Sequence, residues 1–123
     1  MKNTPPYDFI FDYLPANIIV RPLFGMYYIY LNKKNMLILR KQSKNLNLNG
    51  IFIATGNAHH TSLKADVPGI VDFVPDNGKK HDSGWQLLQE GDDDFETAAI
   101  KICEFIRRGD PRIGKVTKKS ISL

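Results

Sequence analysis

Three histidines and one cysteine are the residues of this chain whose chemistry could support catalysis or metal binding. His59 and His60 are adjacent, His81 lies in a later polar segment, and Cys103 is the single cysteine. Adjacent side chains on a helix point about 100° apart, whereas a helical metal pair needs a spacing of four residues. The spacing therefore favours surface histidines, with no metal site and no cofactor. An enzyme with a site around His59, His60 or His81 is the less favoured alternative.

The other candidates for chemistry have simpler interpretations. Cys103 falls beside an apolar helical stripe and is predicted to be a buried, unreactive thiol. The run 92–94 of three aspartates suits a helix start, where carboxylates favour the positive end of the helix dipole. No Walker, dinucleotide-binding or Gly-x-Ser-x-Gly pattern occurs. We therefore predict no catalytic residues and a protein that is not an enzyme.

The composition is that of an ordinary globular domain. The chain has 123 residues, of which 42% are hydrophobic and 24% charged, so one domain with a real core is expected. No apolar run approaches the ~20 residues that span a bilayer, so no membrane segment is predicted. A single cysteine excludes an internal disulfide and fits a cytoplasmic protein.

The net charge of +4 is concentrated in the last part of the chain. We predict a domain over 1–109, in which charges nearly balance, and a basic C-terminal tail over 110–123. A nucleic acid or an acidic partner could contact this basic region, although a solubilising terminus is favoured. Six basic residues form it: Arg107, Arg108, Arg112, Lys115, Lys118 and Lys119.

The hydrophobic pattern predicts an α+β fold with two layers, in which helices pack on an antiparallel sheet of about five strands. The predicted order is α-β(3)-α-β(2)-α. In the last helix, Asp93 and Glu96 are expected to form a capping box, and Gly109 is expected to end the helix. The predicted helices cover 7–14, 55 or 57 to 66, and about 94–108, and the predicted strands cover 18–31, 36–39, 51–54, 70–74 and 85–88.

Two apolar and aromatic runs, 21–31 and 36–39, are joined by a polar segment and predict a β-hairpin. Both alternating sets of residues in the first run are apolar, so both faces should be covered. Helices on one side leave the other face to a second copy, and we therefore expect a homodimer. Aromatic residues near Arg40, Lys41 and Lys44 could instead stack nucleic-acid bases, but core or dimer packing is favoured.

The first run resembles the N-terminal domain of the TfoX/Sxy competence regulators, whose hairpin carries an Arg-x-Met-Phe-Gly-Gly-Tyr-Gly-x-Tyr type of motif. The resemblance implies the predicted fold, shared with YjbR-like proteins and similar to secretion chaperones, and implies no catalytic residues. We therefore expect a non-catalytic regulatory or protein-interaction module, with nucleic-acid binding through the basic tail as the first alternative. The matching residues are Arg21, Phe24, Gly25, Tyr27 and Tyr30, with Leu23 in place of the usual methionine and with Met26 and Tyr28 in place of glycines.

Overall fold

The computed structural model describes residues 4–73 and 84–116, which form an antiparallel sheet with helices on one face. The sheet order is β1-β2-β3-β4-β6-β5, and β7 pairs with β3 beyond the end of β4. The strands are β1 (Ile19–Leu23), β2 (Met26–Leu31), β3 (Lys34–Arg40), β4 (Gly50–Ala54), β5 (Ile70–Asp72), β6 (Trp85–Gln89) and β7 (Lys115–Val116). The helices are α1 (Asn57–Asp66) and α2 (Phe95–Arg107), with 3-10 turns at Asp8–Asp12 and Leu46–Leu48.

The α+β class and the antiparallel sheet agree with the sequence prediction, but the prediction of about five strands is wrong. Seven strands are present in the described residues: a two-residue turn divides the predicted first strand into β1 and β2, and β7 follows α2, where no strand was predicted. The order is accordingly a 3-10 helix, four strands, α1, two strands, α2 and one strand. Part of the predicted strand 70–74 lies outside the described residues.

The first predicted helix is a five-residue 3-10 helix rather than an α-helix. It is nevertheless part of the core, because Ile10 is fully buried. Short 3-10 segments are common connectors of this kind. This turn seats the N-terminal segment against the helix-covered face of the sheet.

The main core lies between the sheet and the helices. Strand residues alternate between faces, so every second apolar residue of β3, β4 and β6 points towards α2. The buried stripe of α2 repeats with helical spacing, as the sequence pattern predicted. The core includes Ile29, Leu37, Leu39, Ile51, Ile53 and Leu88 of the sheet and Phe95, Ala98, Ala99, Ile102, Cys103 and Ile106 of α2.

The two ends of α2 differ from each other in how well they were predicted. The prediction of a capping box by Asp93 and Glu96 is wrong. Asp94 is the N-cap residue, and its side chain makes no capping hydrogen bond. Asp92 Oδ1 accepts a hydrogen bond from the Asp94 N–H at 2.8 Å. At the other end Gly109 has a φ of 77°, as the sequence predicted. The backbone N–H groups that follow donate to the last carbonyls of the helix. The Gly109 N–H donates to the Ile106 carbonyl and the Asp110 N–H donates to the Phe105 carbonyl, both at 3.0 Å.

The opposite face of the sheet carries a second, smaller apolar cluster. Ile38, Phe52 and Leu87 are at most 8% exposed, and the Phe73 ring meets the Phe52 ring edge-on at a centroid distance of 5.1 Å. The centre of this face is therefore already buried within one chain. A second copy is not needed to cover it, contrary to the reasoning from the sequence.

The segment after α2 packs against the domain as far as it is described. Ile113 is buried, and Lys115 pairs with Asn35 of β3. The predicted boundary at 109/110 stays a prediction, since 110–116 contacts the body and 117–123 lies outside the described residues. Among the described helices, none is long and apolar enough to cross a membrane.

Candidate interaction surface

The turn between β1 and β2 exposes an aromatic side chain. Phe24 and Gly25 form its two central residues, with φ angles of 52° and 74°. Two positive φ angles are typical of a type I′ turn, which favours Asn-Gly and matches the twist of a hairpin. Phe24 is a bulky residue in a left-handed conformation, and it is 82% exposed. Neither the turn nor the core accounts for an aromatic residue at this position.

Two further apolar side chains extend the exposed area along β1. Ile19 is 54% exposed and Leu23 is 39% exposed, and they lie on the same face of the strand. We call Ile19, Leu23 and Phe24 the tip surface. Leu23 adjoins Phe24 at the turn, whereas Ile19 lies four residues earlier with Arg21 between them on the same face. Neighbouring exposed apolar side chains mark interaction sites more often than isolated ones do.

β1 is an edge strand of the described sheet, and Pro22 makes its edge unsuitable for adding another strand. Leu23 pairs with Met26 across the turn and Pro22 pairs with Tyr27. The pair that closes a two-residue hairpin is hydrogen-bonded, so Pro22 turns its backbone outward, where it has no N–H to donate. A strand added at this edge would therefore lack one backbone hydrogen bond, which favours a partner held by side chains.

An apolar groove runs beside the same strand, on the face covered by the helices. It has a volume of about 460 Å³. None of its described lining residues is charged, and Val20 and Pro22 of β1 form one side of it. We call it the edge groove; its lining residues are Pro5, Phe11, Val20, Pro22 and Tyr27.

Side-chain hydrogen bonds fix the position of the tip. Gln42 Nε2 donates to the Gly25 carbonyl at 3.3 Å, and Gln42 Oε1 accepts from Arg40 Nη2 at 3.1 Å. Arg40 is 7% exposed and also donates from Nη1 to Asn49 Oδ1 at 2.7 Å. The tip is thus connected to the folded loop 42–49 and presents Phe24 from a supported backbone.

The residues that carried the family resemblance do not form one site. Phe24 and Gly25 make the turn, Tyr27 lines the edge groove, and Tyr30 is buried in β2. Arg21 lies on β1 opposite Tyr28, whose pKa is raised mainly by burial and also by Tyr30. Only Phe24 combines large exposure with an unusual backbone conformation.

His60 is buried, so its prediction as a surface residue is wrong. Its Nε2 lies 2.9 Å from the Thr55 carbonyl oxygen and its Nδ1 lies 3.4 Å from Asp72 Oδ1. Gln86 Nε2 donates to the same carboxylate at 2.8 Å, and this bond is the largest cause of the lowered pKa of Asp72. Both ring nitrogens face oxygens of the protein, and Gln86 Nε2 also donates to the His60 carbonyl at 3.3 Å, so His60 connects α1 to β5 and β6.

The remaining candidates for chemistry stay separate. His59 is half-buried on α1 and His81 lies outside the described residues. Burial raises the pKa of the Cys103 thiol to about 12, so the predicted buried thiol is confirmed. In the described ranges, no group of three or more His, Cys, Asp and Glu side chains could hold a metal ion.

The basic residues near the C-terminus are partly engaged. The Arg112 guanidinium donates to Asp110 Oδ2 at 2.8 Å and to Asp66 Oδ2 at 2.9 Å. This pairing lowers the pKa of Asp110. Arg107 and Arg108 are exposed at the end of α2, and the Arg108 guanidinium lies 4.7 Å from the centroid of the Phe105 ring.

In the described part of the chain, the three lysines of the predicted basic region do not join its arginines in one surface patch. The Lys115 Nζ lies 4.7 Å from the centroid of the Trp85 ring, on the sheet face opposite the helices. Lys118 and Lys119 lie outside the described residues. The six basic residues are therefore not brought together into one surface by the part of the chain that is described.

Comparison with known proteins does not assign a role to this surface. No family model matches the chain, and no curated protein or solved structure matches it significantly.

Two residues of the site were missed in the sequence. The sequence analysis does not place Pro22 on an edge strand, although a proline inside an apolar strand signals an edge position. Arg40 was considered only for its charge, and no sequence signal shows that it would be buried and would hold the loop 42–49. The Phe24–Gly25 turn was missed because a phenylalanine is rare in type I′ turns.

Proposed function

We propose that this domain is a non-catalytic protein-interaction module and that it forms a homodimer through the tip surface. The observation that carries the proposal is the exposed Phe24 at a strained position of an edge hairpin. Strained residues that the fold does not require are concentrated at functional sites. Aromatic side chains are also the most frequent anchors of protein interfaces.

The arrangement of tip and groove favours a second copy as the partner. Leu23 and Phe24 of the tip surface lie at the turn end of β1, Ile19 lies at its start, and the edge groove lies beside the same strand. A two-fold axis across β1 would bring the tip of each copy to the edge groove of the other, which closes the assembly at two subunits. Pro22 favours this side-chain docking over continuation of the sheet, which would leave an open edge on every added copy.

Regulation, a cytoplasmic location and membership of the TfoX-like domains stay predictions. Nucleic-acid binding through the basic region is ranked lower, because Arg112 is already paired with two carboxylates. A reaction at His60 is ranked lower still, because both of its ring nitrogens face protein oxygens.

Sedimentation equilibrium at micromolar concentrations tests the proposal. The 14.0 kDa chain should reversibly form a species of twice its mass. Phe24→Ala should weaken association at least about tenfold, as expected for a buried aromatic anchor. Leu46→Ala is the matched control, because Leu46 is 67% exposed but lies outside the tip surface. A monomer at all concentrations, or equal effects of the two substitutions, would refute the proposed dimer.

A further inference from the structure

The sheet face opposite the helices holds an apolar pocket that is separate from the edge groove. Its volume is about 280 Å³, near the lower end of the ~300–1,000 Å³ common for small-molecule sites. Three of its seven described lining residues are aromatic, and the rings of Phe52 and Phe73 are edge-on to each other. The lining residues are Met26, Ile38, Arg40, Leu48, Phe52, Phe73 and Trp85.

Arg40 brings an unbalanced positive charge to this apolar lining. Its guanidinium makes four hydrogen bonds, all to neutral oxygens: the Lys44 and Asn45 carbonyls and the side chains of Gln42 and Asn49. Among the described residues, no carboxylate lies within ion-pair distance of it. A buried charge without a counterion is costly in free energy. An anion in the pocket would offset that cost.

The hydrogen bonds of Arg40 leave room for such a ligand. A guanidinium has five N–H donors, and the four bonds come from Nη1 and Nη2. The Nε–H makes no hydrogen bond within the described part of the chain. Among the described residues, no acidic residue lines the pocket.

We infer that this pocket binds a small carboxylic acid with an aromatic body. The body would occupy the space between the aromatic walls, where edge-to-face contacts are favourable. The carboxylate would accept from Arg40 in a charge-assisted hydrogen bond. None of the described lining residues belongs to the tip surface, and binding of a ligand here does not require the proposed dimer, so the two proposals are tested separately.

Hydrocinnamate is a suitable probe, and Trp85 is a built-in reporter because it is the single tryptophan. Titration should produce a saturable change in tryptophan fluorescence, with a dissociation constant on the order of millimolar for so small a ligand. The neutral amide of the same acid should bind at least about tenfold more weakly, because it lacks the charge. Equal affinity for acid and amide, or no saturable change, would overturn the inference.

Substitution of two leucines on the same 3-10 turn tests the location of the site. Leu48 lines the pocket, whereas Leu46 is 67% exposed and does not. Leu48→Glu should weaken hydrocinnamate binding at least about tenfold through repulsion of the carboxylate, and Leu46→Glu should change it less than about twofold. Equal effects would contradict this location. The acid–amide comparison uses the unmodified chain and remains decisive even if Leu48→Glu fails to fold.

Discussion

The two tight turns of the first three strands have the same backbone but different side chains. Phe24 and Gly25 connect β1 to β2, and Asn32 and Lys33 connect β2 to β3. All four residues have positive φ angles, of 52° and 74° in the first turn and 52° and 67° in the second. Both are therefore two-residue turns of the kind for which Asn-Gly is favoured.

Each turn departs from Asn-Gly at a different position. The second turn keeps asparagine first and places Lys33 second, where a charged side chain suits an exposed position. The first turn keeps glycine second and places a phenylalanine first, where its ring is 82% exposed. The first turn is also held by Gln42, whereas within the described residues no side chain hydrogen-bonds to the second. The first turn therefore has a structure that suits presentation of Phe24.

The largest expected difference between the turns concerns the glycine. Gly25→Ala should lower the free energy of unfolding by about 1–2 kcal/mol, because alanine is unfavourable at this φ. The new Cβ would also lie 3.1 Å from Gln42 Nε2. Lys33→Gly should raise the free energy of unfolding by about 0.5–1 kcal/mol, because glycine adopts the same conformation without strain. Urea denaturation measures both.

The opposite signs are the test of a shared backbone. If Gly25→Ala were neutral, or if Lys33→Gly were destabilising, the two turns would not be equivalent. The slope of the urea dependence should stay unchanged in both variants, since neither changes the surface that unfolding exposes.

Acid should loosen the support of the first turn more than the second. The pKa of Glu90 is lowered from its usual 4.5, first by the hydrogen bond from Lys41 and then by that from Tyr7. The contribution of Glu90 to the free energy of unfolding is therefore full above pH 4.5 and is lost as the pH falls through the lower pKa of the folded state. An exposed pair of this kind stabilises by at most about 1 kcal/mol.

Amide exchange measured along both turns reads out this effect. Protection around Gly25 should decrease more than protection around Lys33 as the pH is lowered, because Lys41 precedes the Gln42 that holds the first turn. Glu90→Gln should remove most of the difference. Equal loss at both turns, or the same loss in the variant, would separate Glu90 from the tip.

Much of the fold could be predicted because its signals are local. The stripe of α2 and its stop at Gly109 follow from spacing and from a single residue type. The strand count could not be predicted, in part because a two-residue turn is usually signalled by Asn-Gly, whereas this chain has Phe24–Gly25 at that position. The burial of His60 depends on Asp72 and Gln86, which are distant in sequence.

The candidate interaction surface could be predicted only in its residue types. The aromatic hairpin was recognised, but its tip was assigned to covered strands, since a run of apolar residues does not show where a strand turns back. Exposure is a property of the folded chain. Phe24 could be separated from Tyr27 and Tyr30 only when the positions of all three in the folded chain were known.

The most direct test measures two properties of Phe24→Asn. Asparagine suits the turn better, so the free energy of unfolding, measured at concentrations too low for dimerisation, should rise by about 0.5 kcal/mol. Loss of the aromatic anchor should weaken self-association at least about tenfold in sedimentation equilibrium. A variant that folds more stably and associates more weakly is the predicted result. A variant that loses folding stability, or associates as well as the original chain, would contradict the account.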